Sequence, residues 1–230
     1  MADFFPDLLE SFLGVAFLES VCKKYHYGKA QETELRAVAE EMLPLMQREA
    51  FWESRESGLF NEKPEDTADA AYEDVIMSLG GSLDSLQESY HERELLSESY
   101  MLEALASELL LMGYGAYNRY VREKRNWHVA RYHFPGSEEK FPLKMVPELL
   151  KGSQYQIACN TAFCMIPKKS VVFVAELTQN EQIQCESICA GCHNVHCPNR
   201  VGRDFFRGSM LAKMADMPLS YGYSRIFGKL

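Results

Sequence analysis

The chain has 230 residues, 47% of them hydrophobic and 25% charged, the make-up of an ordinary globular protein long enough to bury roughly 70% of the surface its unfolded form exposes. Its 24 basic and 33 acidic side chains give a formal net charge of -9, which argues against a general nucleic-acid or anionic-membrane surface. Asp3 and Asp7 stand where a secretory signal carries Lys or Arg, and Glu10 and Glu19 interrupt the early apolar residues before any membrane-length run develops, so a cytoplasmic location is expected.

Pro6 opens the first element: Leu8, Leu9, Phe12, Leu13, Ala16 and Phe17 recur at helical spacing, and Gly28 is expected to stop the helix. A second helical pattern runs from about Thr33 to Ser57, with Leu35, Val38, Ala39, Met42, Leu43 and Met46 on one side and Pro44 expected to kink or split it. Asn61 to Thr67 reads as a polar linker, Ala68 to Leu79 as another helix ended by Gly80-Gly81, and Asp84 to about Arg125 as a long helical stretch whose leucines face a core. Beyond residue 125 aromatic, Pro and Gly residues increase. A short helix is expected at Leu143 to Leu150, and strands at Tyr155 to Cys159 and, most clearly, at Ser170-Val-Val-Phe-Val-Ala-Glu-Leu, where β-branched and aromatic residues dominate. The expected fold class is mixed α/β (α+β), a helical N-terminal half packed with a sheet. The expected divisions are a helical region at 1–66, an α/β body at 67–202 and a tail at 203–230 rich in Phe, Tyr, Met, Lys and Arg.

The most chemically committed feature is the run C-E-S-I-C-A-G-C-H-N-V-H-C-P-N-R, which holds four of the seven cysteines: Cys185, Cys189, Cys192 and Cys197. Thiolates this close together can wrap one metal centre, and an odd cysteine count with one cluster suits reduced thiols more than a disulfide framework. Two fillings remain open. A [4Fe-4S] iron-sulfur cluster fits four thiolates followed by proline, and zinc held by all four thiolates competes, with His193 or His196 able to replace one of them. The first three cysteines also have the C-x3-C-x2-C spacing of radical enzymes that cleave S-adenosylmethionine, but such a motif belongs early in a parallel barrel and this chain lacks the repeated strand and helix pattern. Cys22, Cys159 and Cys164 read as buried, unreactive thiols, and His26, His91, His128 and His133 as dispersed structural or exposed residues. No phosphate loop, nucleophile elbow or His-Glu-x-x-His pattern is present.

Several pieces resemble, in order, the activation-domain family of cobalamin (vitamin B12)-dependent methionine synthase, particularly its stand-alone bacterial members. They are Val75-Ile-Met-Ser-Leu-Gly-Gly-Ser-Leu-Asp-Ser-Leu-Gln, then Glu94-Leu-Leu and Tyr100-Met-Leu-Glu-Ala-Leu-Ala-Ser, Arg131-Tyr-His-Phe-Pro-Gly, Phe141-Pro-Leu, Ile157-Ala-Cys-Asn-Thr-Ala-Phe-Cys-Met-Ile-Pro-Lys-Lys-Ser-Val, and the closing Cys197-Pro198-Asn199-Arg200. The resemblance implies a twisted, largely antiparallel sheet, a site for S-adenosylmethionine, and a role in rescuing corrinoid cofactors, in which an inactive cobalt(II) corrinoid on a partner is reduced and then methylated. The implied partners are a corrinoid-binding protein such as methionine synthase and a reducing electron donor. The implied ligand residues are Arg131, Tyr132, Pro135 and Gly136. Here four residues separate Arg131 from Gly136 where the family pattern has three, and Ser137 stands where tyrosine is expected; Leu111 falls near the position of the family's helical acid, with Glu108 about one turn and Glu103 about two turns earlier.

Physically, a guanidinium offers a planar, bidentate fork for a carboxylate, and glycine lets backbone approach a ligand closely. The alternative is an Arg131 that pairs with a structural acid beside a simple Pro-Gly turn. The leading expectation is an accessory protein, not a self-contained enzyme. Its competitors are a metal-stabilised interaction module without S-adenosylmethionine binding and an iron-sulfur electron-transfer protein.

Overall fold

In the computed structural model, which describes residues 4–59, 70–183, 185 and 188, the N-terminal apolar pattern becomes three helices. Helix α1 spans Pro6–Ser11 and α2 spans Val15–Tyr25, separated at Gly14, where a Cβ would crowd the carbonyl of Ser11 at 2.9 Å. Helix α2 ends at His26, which takes the left-handed cap conformation at φ 58°, two residues before the expected stop. Gly28 instead caps the start of α3, Lys29–Glu49, its N–H donating to the Gln31 side chain at 3.0 Å. Pro44 neither splits nor ends α3: it lies on the exposed side, where the carbonyl it leaves unbonded is not sealed from solvent.

One expected helix is corrected to a strand, and another gives way to a strand at its C-terminal end. The second pattern ends at Glu49, and Phe51–Glu56 forms β1; the segment expected to be helical at 68–79 is β2, Ala70–Ser78. β2 is central, paired antiparallel to β1 on one side and to the long strand at Ser170–Thr178 on the other. A strand buried on both faces carries a continuous apolar run, here Val75-Ile76-Met77, whose period does not separate it from a buried helix.

The long helical stretch divides into α4, Ser82–Glu92, and α5, Leu96–Arg125, at Glu94, which has φ 58°. β3, His128–His133, follows; its mixture of His, Arg and Tyr concealed it in the sequence. Then come a 3-10 turn at Leu143–Met145, α6 at Val146–Leu150, a small hairpin of β4 (Ala158–Cys159) and β5 (Met165–Ile166), and β6 at Ser170–Thr178. The expected strand at 155–159 is thus reduced to its last two residues.

The main sheet has the order β1-β2-β6-β3 and every neighbour is antiparallel. Because β1 belongs to it, the sheet draws strands from both sides of residue 66. One face, with Val75, Met77, Phe173, Ala175 and Leu177, packs on the helices. Buried Leu102, Leu105, Leu109 and Tyr117 of α5 share that core. The second face carries Phe51, Ile76, Val172 and Val174 under Phe141, Val146, Leu149 and Leu150. Phe173 is fully buried and anchors the helical side, its ring centroid 5.0 Å from that of Tyr114 and 5.2 Å from that of Tyr132. Among the described residues, no helix is long and apolar enough to cross a membrane.

Candidate functional site

Side chains alternate between the two faces of a strand, so β3 sorts the residues of the Arg131 motif. A register irregularity between Val129 and Arg131 precedes the sorting. Arg131 and His133 take the second face; Tyr132 takes the helical face, 4% exposed, its hydroxyl donating to Asn118 Oδ1. Burial pushes the Tyr132 hydroxyl well up from its ordinary value, with the Cys185 thiol and Tyr114 adding to the effect. One ligand on the second face therefore meets Arg131 without meeting the Tyr132 ring.

The register places Arg131 opposite Glu176, and Glu176 opposite Tyr72; His133 lies opposite Val174, then Asp74, then Arg55. The two rows make a polar belt across all four strands, beside the apolar patch covered by α6. In the belt, Glu138 Oε1 lies 3.4 Å from Arg131 Nη2 and 3.0 Å from His133 Nδ1, while His133 Nε2 is 3.2 Å from Glu176 Oε2. At its far end Arg55 Nε is 3.7 Å from Asp74 Oδ2, and Arg55 Nη2 donates to the Leu149 carbonyl. Burial raises the Asp74 carboxyl despite Ser57 and Arg55, and raises the Tyr72 hydroxyl together with the charge of Glu176, against the opposing pull of Arg131.

Four buried polar atoms of this face, Glu53 Oε1, Arg55 Nη1, Asp74 Oδ1 and Arg131 Nε, have no hydrogen-bond partner among the described residues. Buried polar atoms normally find partners, so this face has capacity for a polar ligand. The Arg131 side chain is 39% exposed, which leaves its guanidinium within reach from outside. An accessible guanidinium fork fits a carboxylate.

Pro135 and Gly136 form the turn that follows. Gly136 has φ +83°, and a Cβ there would meet Leu143 Cγ at 2.7 Å. Its N–H donates to the Phe141 carbonyl at 2.6 Å, the Phe141 N–H to the Glu138 carbonyl at 3.0 Å, and the Ser137 hydroxyl to the Phe134 carbonyl at 2.7 Å. Glycine is thus required by the turn itself, and the turn returns the Glu138 carboxylate over β3.

Of the cysteine run, Cys185 is described: half-buried against the helical core, it donates its N–H to the Val129 carbonyl at 2.9 Å, on the strand that carries Arg131. Cys189, Cys192 and Cys197 lie outside the described residues, as do the tail at 203–230 and the linker at Asn61 to Thr67. Among the described residues, no group of three His, Cys, Asp or Glu side chains is arranged to hold a metal ion.

The other thiols are dispersed. Cys22 and Cys159 are half-buried, burial and Glu32 pushing the Cys22 thiol up, whereas Cys164 is exposed, correcting the expectation of burial. Both helical acids have internal partners: buried Glu108 pairs with Lys24 and accepts from the Tyr25 hydroxyl at 3.0 Å, and Glu103 accepts from Lys169 and Gln87.

Sequence reasoning missed Glu138, Glu176, Tyr72, Asp74 and Arg55, and it gave His133 no part in holding a carboxylate. Two signals were available: Arg131 and His133 at i, i+2, and a single Glu176 inside the apolar run of β6. No protein-family model matches the chain, and no curated protein matches it.

Proposed function

We propose that the chain is a cytoplasmic accessory protein for the reductive reactivation of a corrinoid-dependent methyltransferase such as methionine synthase, with an activation-domain-like fold, binding S-adenosylmethionine through Arg131. The reading rests on the ordered motif resemblance. The observation that carries it is the hydrogen bond from Cys185 to Val129, which brings the start of the cysteine run to the Arg131 strand although the two lie far apart in the sequence.

In this reading Arg131 takes the ligand carboxylate through the accessible part of its guanidinium. S-adenosylmethionine brings an already activated methyl group, so the chain supplies orientation and needs no general base. The methyl acceptor is a corrinoid carried by a partner, which calls for an open face; the half-exposed Arg131 suits that requirement. Cys185, with Cys189, Cys192 and Cys197, would hold an iron-sulfur cluster or zinc. The cluster, when bound, supplies an electron passed on from a reducing donor; zinc supplies structure only.

One observation favours a second reading, an interaction module without S-adenosylmethionine binding: the ion pair of Arg131 with Glu138. Calorimetry separates the two. Binding of about micromolar affinity that Arg131→Ala abolishes supports the first, and absence of heat in anaerobically prepared protein supports the second. Iron, acid-labile sulfide and broad visible absorption in the same preparation distinguish iron-sulfur from zinc.

A further inference from the structure

Glu138 sets one of the chain's own carboxylates on the guanidinium assigned to the ligand. Its Oε1 is shared unequally, 3.0 Å from His133 Nδ1 and 3.4 Å from Arg131 Nη2. His133, only 7% exposed, meets Glu138 with one ring nitrogen and Glu176 with the other, so its ring is fixed between the two carboxylates. The backbone beneath Glu138 is tied by the bonds from Gly136 to Phe141 and from Phe141 to Glu138, so its side chain can turn without moving the strand. Arg131 has the looser hold on the carboxylate and more donors than one oxygen can use.

We propose that Glu138 is a built-in competitor: its carboxylate rests on Arg131 in the ligand-free chain and is retained by His133 alone once a ligand carboxylate takes the guanidinium. The inference depends on Arg131 being the carboxylate seat of the proposed function, and it adds that the chain sets its own threshold for occupancy. No covalent chemistry is involved. A carboxylate entering beside Glu138 and Glu176 meets two like charges, while Tyr72 from β2 faces the same row. Ligand affinity is therefore lowered by a group outside the ligand's direct hold.

The test uses the full chain and two measurements. Labelling of Arg131 by phenylglyoxal, followed by peptide mass spectrometry, reports how freely the guanidinium is offered and needs no ligand. Glu138→Gln keeps the side chain's shape while removing its charge, and labelling should accelerate about two- to fivefold, the range expected for a partly exposed ion pair. An unchanged rate overturns the proposal. Calorimetry with S-adenosylmethionine should show a similar tightening in Glu138→Gln and loss of binding in Arg131→Ala; tightening that is absent, while Arg131→Ala still abolishes binding, overturns the competitor and keeps the ligand. No S-adenosylmethionine binding in either protein removes the ligand reading and the competitor with it, whatever the labelling rate.

Discussion

Gly80 and Glu49 show how single residues fix the junction between β2 and α4. Gly80 has φ +94°, and a side chain there would overlap that of Glu49. Glu49 uses its close approach to accept from the Ser82 N–H at 2.8 Å and from the Ser82 hydroxyl, at the N-terminus of α4. Gly80→Ala should therefore cost about 1–3 kcal/mol in urea unfolding, through backbone strain and the displaced carboxylate. The Ser82 hydrogen bonds hold the Glu49 carboxyl below its ordinary value, against a smaller opposing effect of burial. A lowered carboxyl contributes stability above its unfolded-state value and loses it as the pH falls through its folded-state value. The melting temperature of Glu49→Gln should accordingly lie below that of the parent at neutral pH, and the gap should close on acidification; a gap that widens would contradict the assignment. On the helical face, the Tyr117 hydroxyl donates to Glu73 Oε2 at 2.8 Å, with Arg125 on the other oxygen. Tyr117→Phe should cost about 1–3 kcal/mol in the same unfolding measurement, because a buried carboxylate loses a donor.

At the level of elements, legibility followed burial. The helices α1, α2 and α3 each keep one apolar stripe, α5 is buried nearly all round from Met101 to Tyr117 yet too long to be a strand, and Ser170 to Leu177 declared β6 through its β-branched residues. β2 was misread because it is covered on both faces, and β3 because its polar residues serve the belt, so neither shows plain alternation. The same cause hid the candidate site: Arg131 was visible as a motif, but Glu176 and Tyr72 join it only through strand register, to which Tyr72 contributes from 59 positions away. The β6 core position Phe173 tests the sheet-to-helix packing. Phe173→Ala should lower unfolding free energy by about 3–5 kcal/mol, since the cavity would open among Tyr114, Tyr117, Tyr132 and Phe134. A loss below about 1 kcal/mol would show that those rings collapse to fill the space.

For the whole molecule, the sheet separates two tasks. Its helical face is largely apolar and closed around Phe173, whereas its other face joins an apolar patch to a belt of Arg55, Asp74, Tyr72, Glu176, Arg131 and His133, in which Arg55 Nη1, Asp74 Oδ1 and Arg131 Nε have no partner among the described residues. Cys185, the first residue of the cysteine run, is bonded to Val129 of the strand that carries Arg131. The most direct measurement is optical. Methionine synthase holding cobalt(II) corrinoid is mixed, without oxygen, with this protein, a chemical reductant and S-adenosylmethionine, and the corrinoid spectrum is followed. Conversion to the methylated corrinoid is expected only when all components are present, and none with Arg131→Ala. A cobalt(II) spectrum that stays unchanged with the parent protein, or conversion that proceeds equally with Arg131→Ala, would contradict it.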